Sequence, residues 1–219
     1  MSISQNLITI KSTLPPSVSL VAVSKTKPIA DLMEAYATGH RLFGENKIQE
    51  MTEKWDRMPK DIQWHMIGHV QSNKVKFMAE YVALIHGVDS LKLLEEINKQ
   101  ALKYHRTINC LLQIHIAKEE TKFGLDQSEL QDLLQSESFK SMNNICIMGL
   151  MGMATFTNDQ AQIKKEFCHL KSVFDTLKAS DNLNCNISIL SMGMSGDYKW
   201  AIEAGSNMVR IGSSIFGSR

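Results

Sequence analysis

The chain has 219 residues, 43% of them apolar, with 24 Lys and Arg against 23 Asp and Glu. That length suits one barrel or sheet domain, a class that often runs past ~200 residues. A net charge near zero argues against a dedicated nucleic-acid binder. Cys110, Cys146, Cys168 and Cys185 are widely spaced and form no Cys-x-x-Cys pair, so zinc and redox signals are missing and the usage suits a reducing cytoplasm.

Ile3, Leu7, Ile10 and Leu14 recur at helical spacing and predict an opening amphipathic helix, which Pro15-Pro16 stops. The segment has no basic region followed by a continuous apolar run, so it does not read as a signal peptide. Leu20 to Val23 is the first predicted strand. Pro28 suits the first position of the next helix and Gly39 its C-cap. Arg41 to Gly44 reads as strand two, followed by a helix from Asn46 to Trp55. Ile62 to Ile67 is strand three, with a short helix over Gln71 to Met78, and Val82 to His86 is strand four. Asp89-Ser90 caps a helix with Leu94, Ile97 and Ala101 on one face. Ile108 to Ile116 reads as strand five, and Asp126 with Glu129 as a capping box. Ile145 to Gly149 is strand six; the apolar run it opens, to Ala154, is shorter than the ~20 residues a bilayer requires. Thr157 with Gln160 starts a long helix with Ile163, Phe167, Leu170, Phe174 and Leu177 as its stripe. Ile187 to Leu190, a helix from Asp197 to Ala204, and Met208 to Ile211 complete the set.

Eight strands alternating with helices imply a parallel sheet. Eight repeats in ~200 residues fit a single closed (β/α)8 barrel over 1–219, with a doubly wound open sheet as the alternative. No full helix follows strand eight, but an extra one precedes strand one. In a closed barrel these positions are neighbours, so the N-terminal helix is expected to cover the gap.

Barrel sites lie at the C-terminal ends of the strands. That rim carries Lys25, Glu45-Asn46, the stretch from His65 to His69, Thr155, the stretch from Ser191 to Ser195, and Arg210 to Ser213. Closure places Lys25 near Arg210. A buried strand that ends on a lysine implies a partner or a task for it. A partly desolvated lysine has a lowered pKa, which frees its amine for a Schiff base. The blander readings are a solvated Lys25 or one paired with Glu45; Lys27, before Pro28, is expected to point outward. Two glycine-serine stretches, at 191–197 and 210–214, follow strands seven and eight. Each alone is an ordinary cap; together they favour phosphate binding, because glycine lets the backbone approach an anion. His65 and His69 have zinc spacing but no helix between them, so a metal is not expected, although His65 can line the pocket.

These residues resemble one family. Ala22-Val23-Ser24-Lys25-Thr26-Lys27-Pro28, Phe43-Gly44-Glu45-Asn46, Trp64-His65-Met66-Ile67-Gly68, Gln71-Ser72-Asn73-Lys74, Ser191-Met192-Gly193-Met194-Ser195 and Val209-Arg210-Ile211-Gly212 are similar to the pyridoxal phosphate homeostasis proteins. These are the YggS/PROSC-type relatives of the alanine racemase N-terminal barrel. The similarity runs from about Leu20 to Gly217. It implies pyridoxal 5′-phosphate on Lys25, with Ser191, Met194, Ser195, Gly212 and Ser213 around the phosphate. It also implies Arg210 at the pyridine nitrogen or the phosphate edge, and Asn46 and His65 along the ring. His69 stands where many relatives have proline. Lys122 matches a lysine-bearing family segment and reads as a solvated loop lysine or a contact to a second anion.

The family implies a cytoplasmic, non-catalytic carrier that buffers the cofactor and delivers it to pyridoxal phosphate-dependent apoenzymes. The alternatives are a weak amino-acid racemase and a barrel for some other phosphorylated metabolite. A racemase needs a second base opposite Lys25, which related barrels take from a partner's extra β domain. The given sequence ends directly after strand eight, so that domain is expected to be lacking and a monomer is expected. None of Tyr36, Tyr81, Tyr104 and Tyr198 falls on the predicted rim.

Overall fold

A computed structural model of the chain describes residues 2–119, 123–180 and 182–217. Eight parallel strands close into a barrel in chain order. They are β1 (Ser19–Val23), β2 (Leu42–Glu45), β3 (Gln63–Met66), β4 (Leu84–Val88), β5 (Ile108–Gln113), β6 (Ile145–Met151), β7 (Cys185–Ser191) and β8 (Met208–Ile211). Closure is made by β1 on β8, where Val21 pairs with Arg210 and Ala22 with Ile211.

Residues alternate across each strand, so one set fills the barrel and the other meets the helices. Val21, Leu84, Leu111, Met151 and Met208 pack together inside. Leu20, Ala22, Phe43, Trp64, Ile85, Leu112 and Val209 belong to the larger core shared with the helices. Between β6 and β7 the register shifts near Gly149. Gly149 has φ +149, and a Cβ built there would lie 1.8 Å from the Ile189 carbonyl oxygen, so only glycine fits this bulge.

The α-helices of the described residues are α1 (Ile3–Thr13), before β1, then α2 (Ile29–Ala37), α3 (Ile48–Arg57), α4 (Leu91–Lys103), α5 (Gln127–Gln135), the short α6 (Glu137–Lys140), α7 (Gln160–Ala179) and α8 (Tyr198–Glu203) between strands, and α9 (Ser213–Phe216), after β8. Helix α1 buries Leu7 and Ile10 and packs on α2 and α9, and the Asn6 amide donates to the Ile215 carbonyl at 3.0 Å. The N-terminal helix thus covers the gap that the short α9 leaves. Asp126 and Glu129 form the expected capping box at α5.

Several boundaries differ from the sequence pattern. Val82 belongs to the turn that closes the 3-10 helix Ser72–Phe77, its N–H donating to Met78, so β4 begins at Leu84 and takes in His86 and Val88. β5 stops at Gln113: the Ile114 N–H still donates to the Met151 carbonyl of β6, but its bridge partner is Leu125, outside the barrel strands. Asp159, rather than Thr157, caps α7 by accepting from the N–H groups of Ala161 and Gln162.

Candidate functional site

At the C-terminal ends of the strands lies a cavity of about 620 Å³. Of the nine residues singled out from the sequence, Lys25, Asn46, Met194, Ser195, Arg210, Gly212 and Ser213 line it; His65 and Ser191 do not. Lys25 follows β1 by two residues and is half-buried. Its turn is pinned to β2 by the Ser24 N–H, which donates to Gly44 at 3.0 Å. Asn46 follows β2 and abuts Gly68, where a Cβ would sit 2.5 Å from the Asn46 carbonyl oxygen. Lys27, expected outside, also borders the cavity: the turn before Pro28 is tight, and the Lys27 N–H folds back to the Ser24 carbonyl at 3.1 Å.

The loops after β7 and β8 form one wall. Gly193 has φ +97 and lies so close to α8 that a Cβ would be 2.6 Å from that of Ala201. The Met194 N–H donates to Asp197 Oδ1 at 2.6 Å and the Gly193 carbonyl accepts from the Arg210 N–H at 3.0 Å, which locks the loop after β7. The Gly212 N–H donates to Ser195 Oγ at 3.3 Å. Ser213 opens α9, so its own N–H has no acceptor within the helix.

Behind the wall, Arg210 is 3% exposed. Its Nη1 donates to the Ser191 carbonyl and hydroxyl at 2.9 and 2.7 Å, and its Nη2 to the Gly152 carbonyl at 3.1 Å. Burial lowers its pKa to about 10, so it remains a cation at neutral pH. Ser191 is the last residue of β7 and points into the barrel, which is why it supports Arg210 and does not reach the cavity wall. His86 Nδ1 lies 3.2 Å from Ser191 Oγ, and His86 Nε2 lies 3.0 Å from His65 Nδ1. The guanidinium only donates. Assigned from that end, the Ser191 hydrogen goes to His86 Nδ1 and the His86 Nε2–H to His65 Nδ1. Burial, with the Arg210 cation adding to it, holds His86 well below the usual imidazole range, and burial takes His65 to about 4, so both rings are neutral at neutral pH. His65 thus sits beneath the cavity as part of this relay. His86 is a site residue that sequence reasoning missed; a histidine inside a buried strand was its only signal.

On the helix side, Glu45 is fully buried and its carboxyl is pushed up by that burial. Its Oε1 accepts from Ser24 Oγ at 2.6 Å and from Lys54 Nζ at 2.7 Å, so the ammonium at Glu45 is that of Lys54 on α3. Sequence reasoning offered Lys25 for that place and passed over Lys54, although Glu50 and Lys54 stand at ion-pair spacing.

The opposite wall carries His69, whose Nδ1 is 3.2 Å from Asp89 Oδ2 and whose ring stacks on Phe123 at 4.0 Å. His69 and His65 therefore belong to different surroundings. Thr155 also borders the cavity and donates to Glu166 Oε1 at 2.7 Å. Among the described residues no tyrosine lines the cavity. Lys122 lies outside the described residues.

The closed barrel thus brings a lysine, a buried arginine and two glycine-serine loops to one cavity at its C-terminal rim. The chain matches the alanine racemase N-terminal domain over residues 1–219. It is 38% identical to the pyridoxal phosphate homeostasis protein of Pasteurella multocida, covering 100% of this chain and 98% of that one. The solved structure of PipY from Synechococcus elongatus is 34% identical and superposes with a TM-score of 0.92 without pyridoxal phosphate and 0.89 with it bound, over 99% of this chain and 100% of that one. An alanine racemase of Clostridium difficile, 15% identical, shares the fold with a TM-score of 0.78; this chain covers 56% of it. The chain belongs to the pyridoxal phosphate homeostasis protein family.

Proposed function

We propose that this chain binds pyridoxal 5′-phosphate in the rim cavity and serves cofactor homeostasis without catalysing turnover. The observation that carries the reading is that Lys25 shares one cavity with the joined loops after β7 and β8 and with the buried cation Arg210. A volume of about 620 Å³ lies within the range of small-ligand sites, and the donor set fits a phosphorylated aldehyde. The names of the Pasteurella relative and of the pyridoxal phosphate-bound Synechococcus structure support the same ligand.

The residues divide by chemistry. Ser195 and Ser213 offer their hydroxyls, and Ser213 its N–H, to the phosphate, while Met194 and Gly212 shape the same wall with N–H groups already given to Asp197 Oδ1 and Ser195 Oγ. Asn46 and Arg210 border the ring. Lys25 holds the ligand covalently. Bound there, pyridoxal 5′-phosphate supplies an aldehyde that condenses with a primary amine, releasing water, and is freed by hydrolysis or amine exchange. His65 and Ser191 act from behind the wall: they fix Arg210 and do not touch the ligand. An arginine against the ring nitrogen opposes its protonation and so weakens the electron withdrawal that carbanion chemistry needs. That, with no tyrosine on the cavity wall among the described residues, supports a carrier over a racemase. Residues 1–219 are proposed to work as one cytoplasmic, monomeric barrel that passes the cofactor to pyridoxal phosphate-dependent apoenzymes. Among the described residues no helix is long and apolar enough to cross a membrane.

The test is spectroscopic titration of the protein with pyridoxal 5′-phosphate. Wild type is expected to develop the visible band of lysine-bound cofactor, and Lys25→Ala to lack it. A wild-type protein that stays colourless in excess cofactor overturns the reading.

A further inference from the structure

Lysine is seldom buried without a task, and Lys54, on α3, is 5% exposed. Its ammonium has three hydrogens and three acceptors: the Ser24 carbonyl at 2.8 Å, Glu45 Oε1 at 2.7 Å and Glu50 Oε1 at 2.7 Å. All of them bear on one short stretch of chain. Ser24 immediately precedes Lys25. Thr26 immediately follows it, and the Thr26 N–H donates to the same Glu50 oxygen at 2.6 Å. Ser24 is held a second time, through its hydroxyl on Glu45. Both residues that flank Lys25 are therefore fastened to the one ammonium, directly or through a carboxylate.

The conformation so held is not one the chain adopts unaided. Thr26 has φ +64, in the left-handed region that β-branched residues avoid. Such a conformation persists only where the surroundings over-determine it. The fastening also differs from general packing, because it grips the turn beyond the end of β1, whereas barrel closure depends on the strand pairing below it.

We infer that Lys54 is a positioning residue: with Glu45 and Glu50 it fixes the β1–α2 turn from the helix side and so sets where the Lys25 amine enters the cavity. This rests on the cofactor reading above. Removing the ammonium leaves the Glu45 and Glu50 carboxylates without their shared cation and takes one of the two donors from the Ser24 carbonyl, which keeps only the Lys27 N–H within the same turn. The turn relaxes and Lys25 loses its set position, while the phosphate wall, built from β7 and β8, is untouched.

The full-length protein and its Lys54→Met variant separate these effects. One measurement is the rate at which the band of lysine-bound pyridoxal 5′-phosphate appears. The other is affinity for pyridoxine 5′-phosphate, whose alcohol cannot attach to an amine. Lys54→Met is expected to slow attachment at least about tenfold, as misplacement of a reacting group does, while pyridoxine 5′-phosphate affinity stays within about threefold of wild type. Attachment at the wild-type rate, or a parallel fall in both quantities, overturns the inference. If Lys54→Met does not fold, Glu50→Gln takes its place, because Glu50 is partly exposed and its carboxylate carries the link to Thr26. Its attachment is expected to slow about threefold with pyridoxine 5′-phosphate affinity unchanged, and an unchanged rate is the contrary result. A wild-type protein without the band overturns the cofactor reading and this inference together; a normal wild-type band with unaffected variants overturns this inference alone.

Discussion

The backbone N–H of Gly212 donates to Ser195 Oγ at 3.3 Å, which joins the loop after β7 to the loop after β8 across one wall of the cavity. Ser195→Ala removes both that tie and a hydroxyl donor from the wall. Affinity for pyridoxal 5′-phosphate is expected to fall about tenfold, the worth of one hydrogen bond to a charged group. Binding of unphosphorylated pyridoxal, measured in parallel, is expected to change little. An equal loss for both ligands places Ser195 away from the phosphate.

Arg210 is held in its barrel position by Ser191, and Ser191 by His86. Ser191→Ala leaves His86 Nδ1 without its buried partner and takes one of the acceptors of Arg210 Nη1. Unfolding in urea is expected to show a loss of about 1–3 kcal/mol, the cost of an unsatisfied buried polar group. A change below about 0.5 kcal/mol, the range of ordinary surface substitutions, contradicts the relay.

Burial holds His40 and His65 at about 4, below the unfolded imidazole value of 6.5. The folded chain thus binds fewer protons than the unfolded chain below pH 6.5. Their contribution is fully present above that pH and is lost as pH falls toward 4. Each of these two rings is expected to account for about 2 kcal/mol of lost stability between pH 7.5 and pH 5. His40→Phe is the check, since His40 Nε2 bonds to the Leu42 carbonyl and, among the described residues, His40 does not line the cavity. The variant is expected to have a flatter stability profile between pH 6.5 and pH 5, above the range of ordinary carboxylates. A profile parallel to wild type argues that His40 titrates normally.

With cofactor loaded, incubation with L-alanine followed by chiral chromatography is expected to give no Lys25-dependent inversion. Inversion at catalytic rates that Lys25→Ala abolishes restores the racemase alternative.

The barrel was legible because its signal repeats: eight apolar runs alternate with helical stripes, and a surplus helix at one end matches a missing one at the other. Lys25, the glycine-serine loops and Arg210 stood out for the same reason, as polar residues at the ends of apolar strands. Depth at the rim was not legible. Ser191 and Ser195 share one glycine-serine stretch, yet Ser191 is the last inward residue of β7 and Ser195 lies in the loop, a distinction that depends on where β7 ends. His65 reads as rim for the same reason and lies one layer beneath. Lys54 was overlooked although its place was suggestive: Ile48, Met51 and Lys54 follow at threes along the buried face of α3, and a charge on that stripe implies buried partners. Those partners, Ser24 just past the end of β1 and Glu45 at the end of β2, meet only once β1 and β2 lie side by side.

The most direct test is to reduce the pyridoxal 5′-phosphate-loaded protein with borohydride and map the product by peptide mass spectrometry. A pyridoxyl phosphate adduct at near-stoichiometric yield on Lys25 is the expected result. No adduct, or one confined to other lysines, contradicts the assignment of this barrel as a Lys25-bound cofactor carrier.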